Sequence, residues 1–267
     1  MNQTLSASVS ARFAAAAQTY RQESSLQRSV AEKLAATMLH PDETRSILEV
    51  GCGTGFLTEQ ILNRFPLAHI DALDIARPMT ELARERLGEC GRIRWHVADA
   101  RQFSPGTDFS LIVSSSALHW MTPVSETIKR LAGMLQPGGN LVSALMVKGT
   151  FEELHASRMC LFPDKTAPVC LPDAEEILGA IAAAGLSVEN SRQEILQERY
   201  KSAHGFFRSL NRQGVTGVSN TGCKLLNRTE LHRLAEYYDR QFAAASGGVF
   251  ATYRILYVKA VKGDRQQ

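Results

Sequence analysis

Three glycines stand at alternate positions in Glu49-Val50-Gly51-Cys52-Gly53-Thr54-Gly55, just after a short apolar run and just before a helical stretch. Glycine lets a backbone bend sharply and approach a ligand closely. A strand feeding such a turn, which in turn feeds a helix, opens a Rossmann-like unit. A dinucleotide fingerprint spaces its glycines GxGxxG. Here the third glycine comes one position early and Phe56 stands in the dinucleotide glycine's place, which argues against a dehydrogenase. Asp74 lies nineteen residues beyond Gly55, at the end of the second apolar run. A carboxylate there can accept hydrogen bonds from both hydroxyls of a ribose. Asp99, in Ala98-Asp99-Ala100, follows the third run. All three features fall at carboxyl ends of expected strands, where ligands bind in open α/β sheets.

Elements must hold these groups in place. From Ser46 onward, the strands Ser46–Val50, Ile70–Leu73, Ile93–Val97, Phe109–Val113 and Asn140–Val147 alternate with the helices Gly55–Phe65, Pro78–Leu87 and Pro123–Leu135. Pro137-Gly138-Gly139 reads as the turn before the fifth strand. Such alternation means a parallel sheet covered by helices on both faces. The pattern then loosens: Gly149–Leu171 reads as a loop with one short helix, Phe151–Arg158, and Asp173–Ala184 as a helix. Ser187–Tyr200 and Val249–Val261 read as long strands, with helices Ser202–Asn211 and Thr229–Phe242 between them. About fifty intervening residues are too many for a hairpin turn, so they are expected to form a helical cap. Ahead of the sheet stand a helix at Ala11–Tyr20 and a second with the stripe Leu26, Val30, Leu34, Met38, capped by Ser24 or Ser25 and followed by Pro41. The expected fold class is α/β: a mostly parallel seven-stranded sheet, helices on both faces, and a helical cap inserted before the last strand. The expected division is 1–45 for covering helices, 46–200 for the core, 201–248 for the cap, and 249–267 for the last strand and tail.

Composition narrows the function classes. The 267 residues are 44% hydrophobic and 21% charged, which is ordinary globular composition rather than a disordered or fibrous one. A net charge of +3, without a long run of like charges, is too mild to argue for nucleic acid. No apolar stretch is long enough to span a membrane, and the five-residue run Phe13–Ala17 is too short for a signal peptide. Five scattered cysteines with no CxxC pair suit reduced thiols in the cytoplasm and give no zinc site.

The pattern E-x-G-x-G-x-G, with Asp74 and Asp99 in register, resembles motif I and its partners in class I S-adenosylmethionine-dependent methyltransferases. With no pyrophosphate to cradle, such a loop wraps an amino-acid tail and a ribose. The resemblance implies S-adenosyl-L-methionine as cofactor. It implies Gly51, Gly53, Gly55, Asp74, Ile75, Asp99, Ala100 and Ser114 as its binding residues, with Asp99 on the adenine amino group. For Glu49 two readings stand: contact to the methionine amino group through water, or a part in fixing the loop backbone. After the fourth strand, Ser114-Ser115-Ser116-Ala117-Leu118-His119-Trp120 lacks the Asn/Asp-Pro-Pro-aromatic motif of enzymes that methylate base or glutamine nitrogen, and a Pro-Cys nucleophile is also absent. Nucleic acid is therefore not expected as acceptor.

The flanks are more specific. Phe13-x6-Tyr20, Leu26-Gln27, Gly149-Thr150-Phe151-Glu152-Glu153-Leu154-His155, Ser209-Leu210-x3-Gly214-Val215-Thr216 and Ala251-Thr252-Tyr253 occur in this order. Together they resemble the malonyl-[acyl-carrier protein] O-methyltransferase family of biotin synthesis over nearly the whole chain. The resemblance implies methylation of the free carboxylate of a malonyl thioester on acyl-carrier protein, or on coenzyme A. It also implies Tyr20 over the substrate. A malonyl carboxylate is already ionised at neutral pH, so the reaction needs no general base. The family's basic residue after Ser-Leu is replaced by Asn211, which leaves Arg212, then Arg208, as candidates to hold the carboxylate, each equally readable as a solvated arginine. His119 reads as a substrate contact or a packed histidine, and Trp120 as pocket wall or core. Arg21, Arg28, Lys201 and Arg208 are candidate contacts to an acidic carrier, or simply a solvated face. The rival readings are a methyltransferase of free small acids or alcohols, similar to the aconitate enzymes, and a non-catalytic cofactor-binding subunit.

Overall fold

A computed structural model describes residues 2–38, 44–165, 171–216 and 225–263. Seven strands form one sheet: β1 (Ser46–Val50), β2 (His69–Asp74), β3 (Ile93–Val97), β4 (Phe109–Ser115), β5 (Leu135–Met146), β6 (Leu186–Tyr200) and β7 (Val249–Lys262). Their order is β3-β2-β1-β4-β5-β7-β6. The first five run parallel, and β7 lies antiparallel between β5 and β6. The expected fold class is the observed one.

Both faces of the sheet are buried over its central strands, which show it at a period of two, while the edge strand β6 is largely exposed. Leu111 and Val113 of β4 join one core cluster while Ile112 joins the other; along β5, Val142 and Ala144 alternate in the same way with Leu141 and Leu145. The first face is covered by α2 (Ser25–Ala36) and α3 (Phe56–Arg64), through Leu26, Val30, Leu34, Ile61 and Phe65. The second is covered by α5 (Val124–Gly133) and α7 (Ala174–Ala183), through Ile128, Leu131, Ile177 and Ile181. Among the described residues the remaining α-helices are α1 (Asn2–Glu23), α4 (Arg77–Leu87), α6 (Glu152–Leu161), α8 (Ala203–Arg212) and α9 (Arg228–Gln241), and a short 3-10 turn spans Leu118–Trp120.

Three elements differ from the sequence reading. α1 runs over Asn2–Glu23 rather than Ala11–Tyr20, because its serines and alanines include no breaker and alanine favours helix most. The Pro137-Gly138-Gly139 turn lies within β5 as a bulge: Phe109 pairs with Leu135 and Leu111 already with Asn140. Ser24 does occupy the N-cap of α2, but its side chain makes no capping bond. α8 and α9 lie between β6 and β7, and α9 opens with a complete capping box from Asn227 and Glu230. The α8 end rests against α1, where Thr19 Oγ1 donates to Arg212 O at 2.7 Å. Among the described residues, no helix is long and apolar enough to cross a membrane.

Candidate active site

β1 ends in the glycine turn because all three glycines adopt the left-handed region, with φ of 76°, 53° and 84° for Gly51, Gly53 and Gly55. The turn is tied to β2: Gly51 N and Cys52 N both donate to Leu73 O, at 2.7 and 3.0 Å. At Gly51 a side chain is excluded twice, by φ and by Ala117, whose Cβ a new Cβ would overlap.

Asp74, at the end of β2, clasps the same turn. Its carboxylate accepts Gly53 N at 2.9 Å and Ala76 N at 2.8 Å, one bond on each oxygen. Each oxygen retains a lone pair, which is what a vicinal diol in the cleft requires. Burial pushes Asp74 above the usual carboxylate range against the pull of those N–H groups. Asp99, after β3, is held by Arg101, whose Nη2 donates to Oδ2 at 2.6 Å and whose Nε donates to Oδ1 at 3.0 Å. Burial raises Asp99, but the bonds from Arg101 and from Ser6 of α1 outweigh it and hold the carboxyl below its ordinary value.

These strand ends line a cleft. Gly51, Gly53, Asp74, Ile75, Asp99 and Ala100 share its wall, so six of the expected cofactor residues come together. Its apolar surfaces are Leu73, Met79, Ala98 and Ala117. α1 roofs it: Ser10 Oγ donates to Ile75 O at 3.1 Å, and Val9, Phe13 and Tyr20 face inward. Phe13 meets Tyr20 at 6.1 Å and Trp120 at 5.7 Å, both edge-on, so Trp120 is pocket wall.

A smaller inner chamber adjoins the cleft, sharing Tyr20, Gly51, Gly53, Ser115 and Ser116 with it and adding Glu49, Gln27, Thr54 and Phe56. Glu49 is 1% exposed and accepts Thr58 Oγ1 at 2.6 Å, in the first turn of α3. The N-cap of α3 is Gly55, which has no side chain to offer, so the carboxylate of Glu49 serves that helix end from β1. Burial pushes Glu49 up to about 7, despite its Thr58 bond. Tyr20 is pushed up to about 12 by burial and then by the charge of Asp74, so its phenol keeps its proton.

Several expected residues are elsewhere. Ser114 is fully buried beneath the cleft and donates to Val50 O at 2.8 Å, bracing β4 on β1. Gly55 lies under the turn, packed toward Arg86, Leu87 and Ala83. Arg212 pairs with Glu23 at 3.0 Å, and Arg208 is exposed; neither lines the cleft or the chamber. The phase of α8 explains both: Ala203, Phe206 and Leu210 face the core, which turns positions 208 and 212 outward. His119 is a packed histidine, 4% exposed, with Met146 N pointing at its Nδ1 and burial pushing it down to about 3.

The site residue that the sequence reading missed is Ser115. It lines both cavities, and its hydroxyl is buried with no partner among the described residues. Its neighbour Ser116 adopts φ 57°, an uncommon conformation for serine. The signal was present in three successive serines at a strand's carboxyl end, of which only the first was taken.

Two of the flanking segments, the one at 149–155 and the one at 251–253, form a clasp away from the cleft. Glu153 accepts both the N–H of Thr252, at 3.0 Å, and its hydroxyl. Thr150 Oγ1 donates to Arg254 O and accepts Arg254 N, at 3.1 and 3.0 Å. Cys52, Cys90 and Cys160 are free thiols, and Cys170 and Cys223 lie outside the described residues.

Residues 47–139 match the family described as "Methyltransferase domain". A malonyl-[acyl-carrier protein] O-methyltransferase of Anoxybacillus flavithermus is 30% identical over 254 residues, covering 92% of this chain and 94% of its own. The chain belongs to the malonyl-[acyl-carrier protein] O-methyltransferase family. Another relative, malonyl-[acyl-carrier protein] O-methyltransferase 2 of Ilyobacter polytropus, is 27% identical with 94% and 95% covered. Among solved structures, a candidate methyltransferase of Bacillus halodurans C-125 superposes with a TM-score of 0.63 at 15% identity, covering 88% of this chain and 99% of that one. That likeness carries the fold alone.

Proposed function

We propose that this chain transfers a methyl group from S-adenosyl-L-methionine to the free carboxylate of a malonyl thioester on acyl-carrier protein, with malonyl-coenzyme A as a second carrier of the same group. The product would be the esterified malonyl primer of biotin synthesis, made in the cytoplasm. The observation that carries this reading, beside the family membership, is the inventory of the site. Its hydroxyl donors, Tyr20 and the unpartnered Ser115 and Thr54, are neutral, and its histidine is packed away and uncharged. Such a site suits an acceptor that arrives already deprotonated.

The residues fit the cofactor. Asp74 has the two lone pairs for a ribose diol, Asp99 with Ile75 and Ala100 suits an adenine, and Glu49 at the inner chamber suits an ammonium. When bound, S-adenosylmethionine supplies a methyl carbon on cationic sulfur: as a carboxylate oxygen bonds to that carbon, the C–S electron pair returns to sulfur and no proton moves. The protein's work is then placement. Tyr20 and Ser115 donate to the acceptor carboxylate and orient it. α1 closes the cleft and excludes water. Positioning of this kind can supply roughly 7–11 kcal/mol of a barrier. With Arg212 on Glu23 and Arg208 in solvent, the neutral hydroxyls take over the role first considered for those arginines. In this reading, residues 1–45 act as the cover, 46–200 as the cofactor core, 201–248 as the lid and 249–267 as the closing strand and tail.

The test is incubation with S-adenosylmethionine and malonyl-carrier protein, followed by the intact mass of the carrier. A gain of one methyl, lost in Asp74→Ala and absent with acetyl- and succinyl-carriers, supports the reading. Cofactor binding without that gain refutes the acceptor and points to free carboxylic acids.

A further inference from the structure

Beyond the inner chamber, Thr54 also forms the floor of a separate open groove walled by Arg21, Arg28 and Arg86. Arg86 is committed to the glycine turn and α3, with Nη2 on Gly55 O at 2.5 Å and Nη1 on Glu59 at 2.8 Å. Arg21 and Arg28 have no carboxylate partner among the described residues. Both guanidinium groups instead lie 5.0 Å from the ring centre of Phe56. The one acid on the groove wall, Glu85, does not balance three arginines. Two donors in this place are unused: Thr54, 3% exposed, has a buried hydroxyl with no partner, and so does the buried Nη1 of Arg21. Burial, then Arg86 and Arg28, lower the pKa of Arg21 against the opposing pull of Glu59, which is already paired with Arg86.

Buried unused donors beside crowded arginines call for a compact anion with several acceptor oxygens. The groove is also placed at the reacting end of the site. Thr54 lines both the groove and the chamber, and Phe56, the chamber ring under Arg21 and Arg28, stands 6.3 Å from Tyr20. We propose that this groove seats the phosphodiester of the phosphopantetheine arm that bears the malonyl thioester, with the arm entering across Phe56 toward Tyr20. The inference rests on the acceptor reading above and gives it an entrance: the anion is held at Arg21, Arg28 and Thr54, and the acyl end reaches the hydroxyls of Tyr20 and Ser115.

Calorimetric titration of the full chain, loaded with S-adenosylhomocysteine, tests this without turnover. The titrants are 4′-phosphopantetheine and pantetheine, which differ by the phosphate alone. The phosphate should tighten binding by about tenfold or more. Arg28→Gln and Arg21→Gln should each erase that difference, leaving S-adenosylhomocysteine affinity and the thermal midpoint as in the parent. In turnover, the same variants should raise KM for malonyl-carrier protein by about tenfold but not for malonyl-pantetheine. Equal binding of the two titrants by the parent overturns the proposal. So does a loss of S-adenosylhomocysteine affinity in Arg28→Gln, which would assign the groove to the cofactor's carboxylate. A carrier lacking its prosthetic arm that binds as tightly as the complete one would assign it to the carrier's acidic surface and also overturn it. If phosphopantetheine binds through Arg28 but malonyl-carrier gains no methyl, the acceptor reading fails and the anion site stands.

Discussion

Replacing Glu49 by glutamine should make the ligand-free protein more stable, by a margin that grows as pH rises from about 4.5 to about 7 and then levels off. Glu49 is buried, and its folded pKa is about 7 against an ordinary value of 4.5. Between those two values the folded chain holds a proton that the unfolded chain has released. Stability therefore falls as pH rises through that window, because the unfolded state binds fewer protons there. At about 1.4 kcal/mol per pH unit, the gap is worth roughly 3 kcal/mol once pH exceeds the folded value. Glutamine keeps the shape and still offers an oxygen to Thr58, but it never carries the charge. Urea unfolding of parent and variant from pH 4 to pH 8.5 should give nearly coincident stabilities at the acid end and a variant ahead by up to roughly 3 kcal/mol at the basic end. Adding S-adenosylhomocysteine should narrow the gap, since an ammonium beside Glu49 favours its charged form. Parallel stability curves across the range would refute the reasoning, because they would mean that Glu49 ionises in the fold as it does in the unfolded chain.

Gly51→Ala should abolish measurable S-adenosylhomocysteine binding by calorimetry, since a Cβ there meets both a forbidden φ and Ala117; Gly53→Ala, with open space around its Cβ, should cost only about 1–2 kcal/mol of backbone strain. Equal losses would show that contact with Ala117 does not matter. Tyr20→Phe and Ser115→Ala should each lower kcat by about tenfold with cofactor affinity held, the expected loss of one hydrogen bond to a charged group. Because Tyr20 titrates only near 12, the parent's rate should show no Tyr20-dependent change from pH 7 to 9. Glu153→Ala strands the buried N–H of Thr252 and should destabilise the fold by about 1–3 kcal/mol in urea, with cofactor binding unchanged in the folded protein.

The parts of the site built from backbone were legible in the sequence. Glycine at 51, 53 and 55 is demanded by φ, and carboxylates at 74 and 99 close strands whose apolar runs are unmistakable, so their convergence follows from the sheet alone. Side-chain direction was less legible. Ser114, Ser115 and Ser116 look alike in sequence, yet the pleat turns the first onto Val50 O and leaves the second facing the cavities. Arg208 and Arg212 were weighed for charge, whereas the stripe Ala203, Phe206, Leu210 already turns them from the core. Glu49 was read through the loop it opens. Its partner Thr58 is nine positions on, in a helix whose first residue supplies no cap.

Of the flanking segments that resemble the family, Phe13, Tyr20 and Gln27 line the cleft or its chamber, and the others lie away from both. Thr150 and Glu153 grip Thr252 and Arg254, which fixes the end of β5 to β7 where Val147 N also meets Arg254 O at 3.0 Å. The Leu26-Gln27 segment and the residues after Ser209-Leu210 meet as well: Gln27 Nε2 donates to Gln213 at 3.0 Å, and Gln213 donates to Glu23 O at 2.9 Å. Gly214 fits beneath α1 because any Cβ there would press on Arg12 O. These contacts set where α1 and α8 lie over the strand ends, and so where Tyr20 stands relative to Asp74 and Ser115. A site whose acceptor arrives already charged asks for little chemistry from its side chains and much from its cover. Its identity is accordingly written in the joints that hold the cover down, which is why the flanking motifs distinguish this family while the glycine loop and its two aspartates are common to the wider fold.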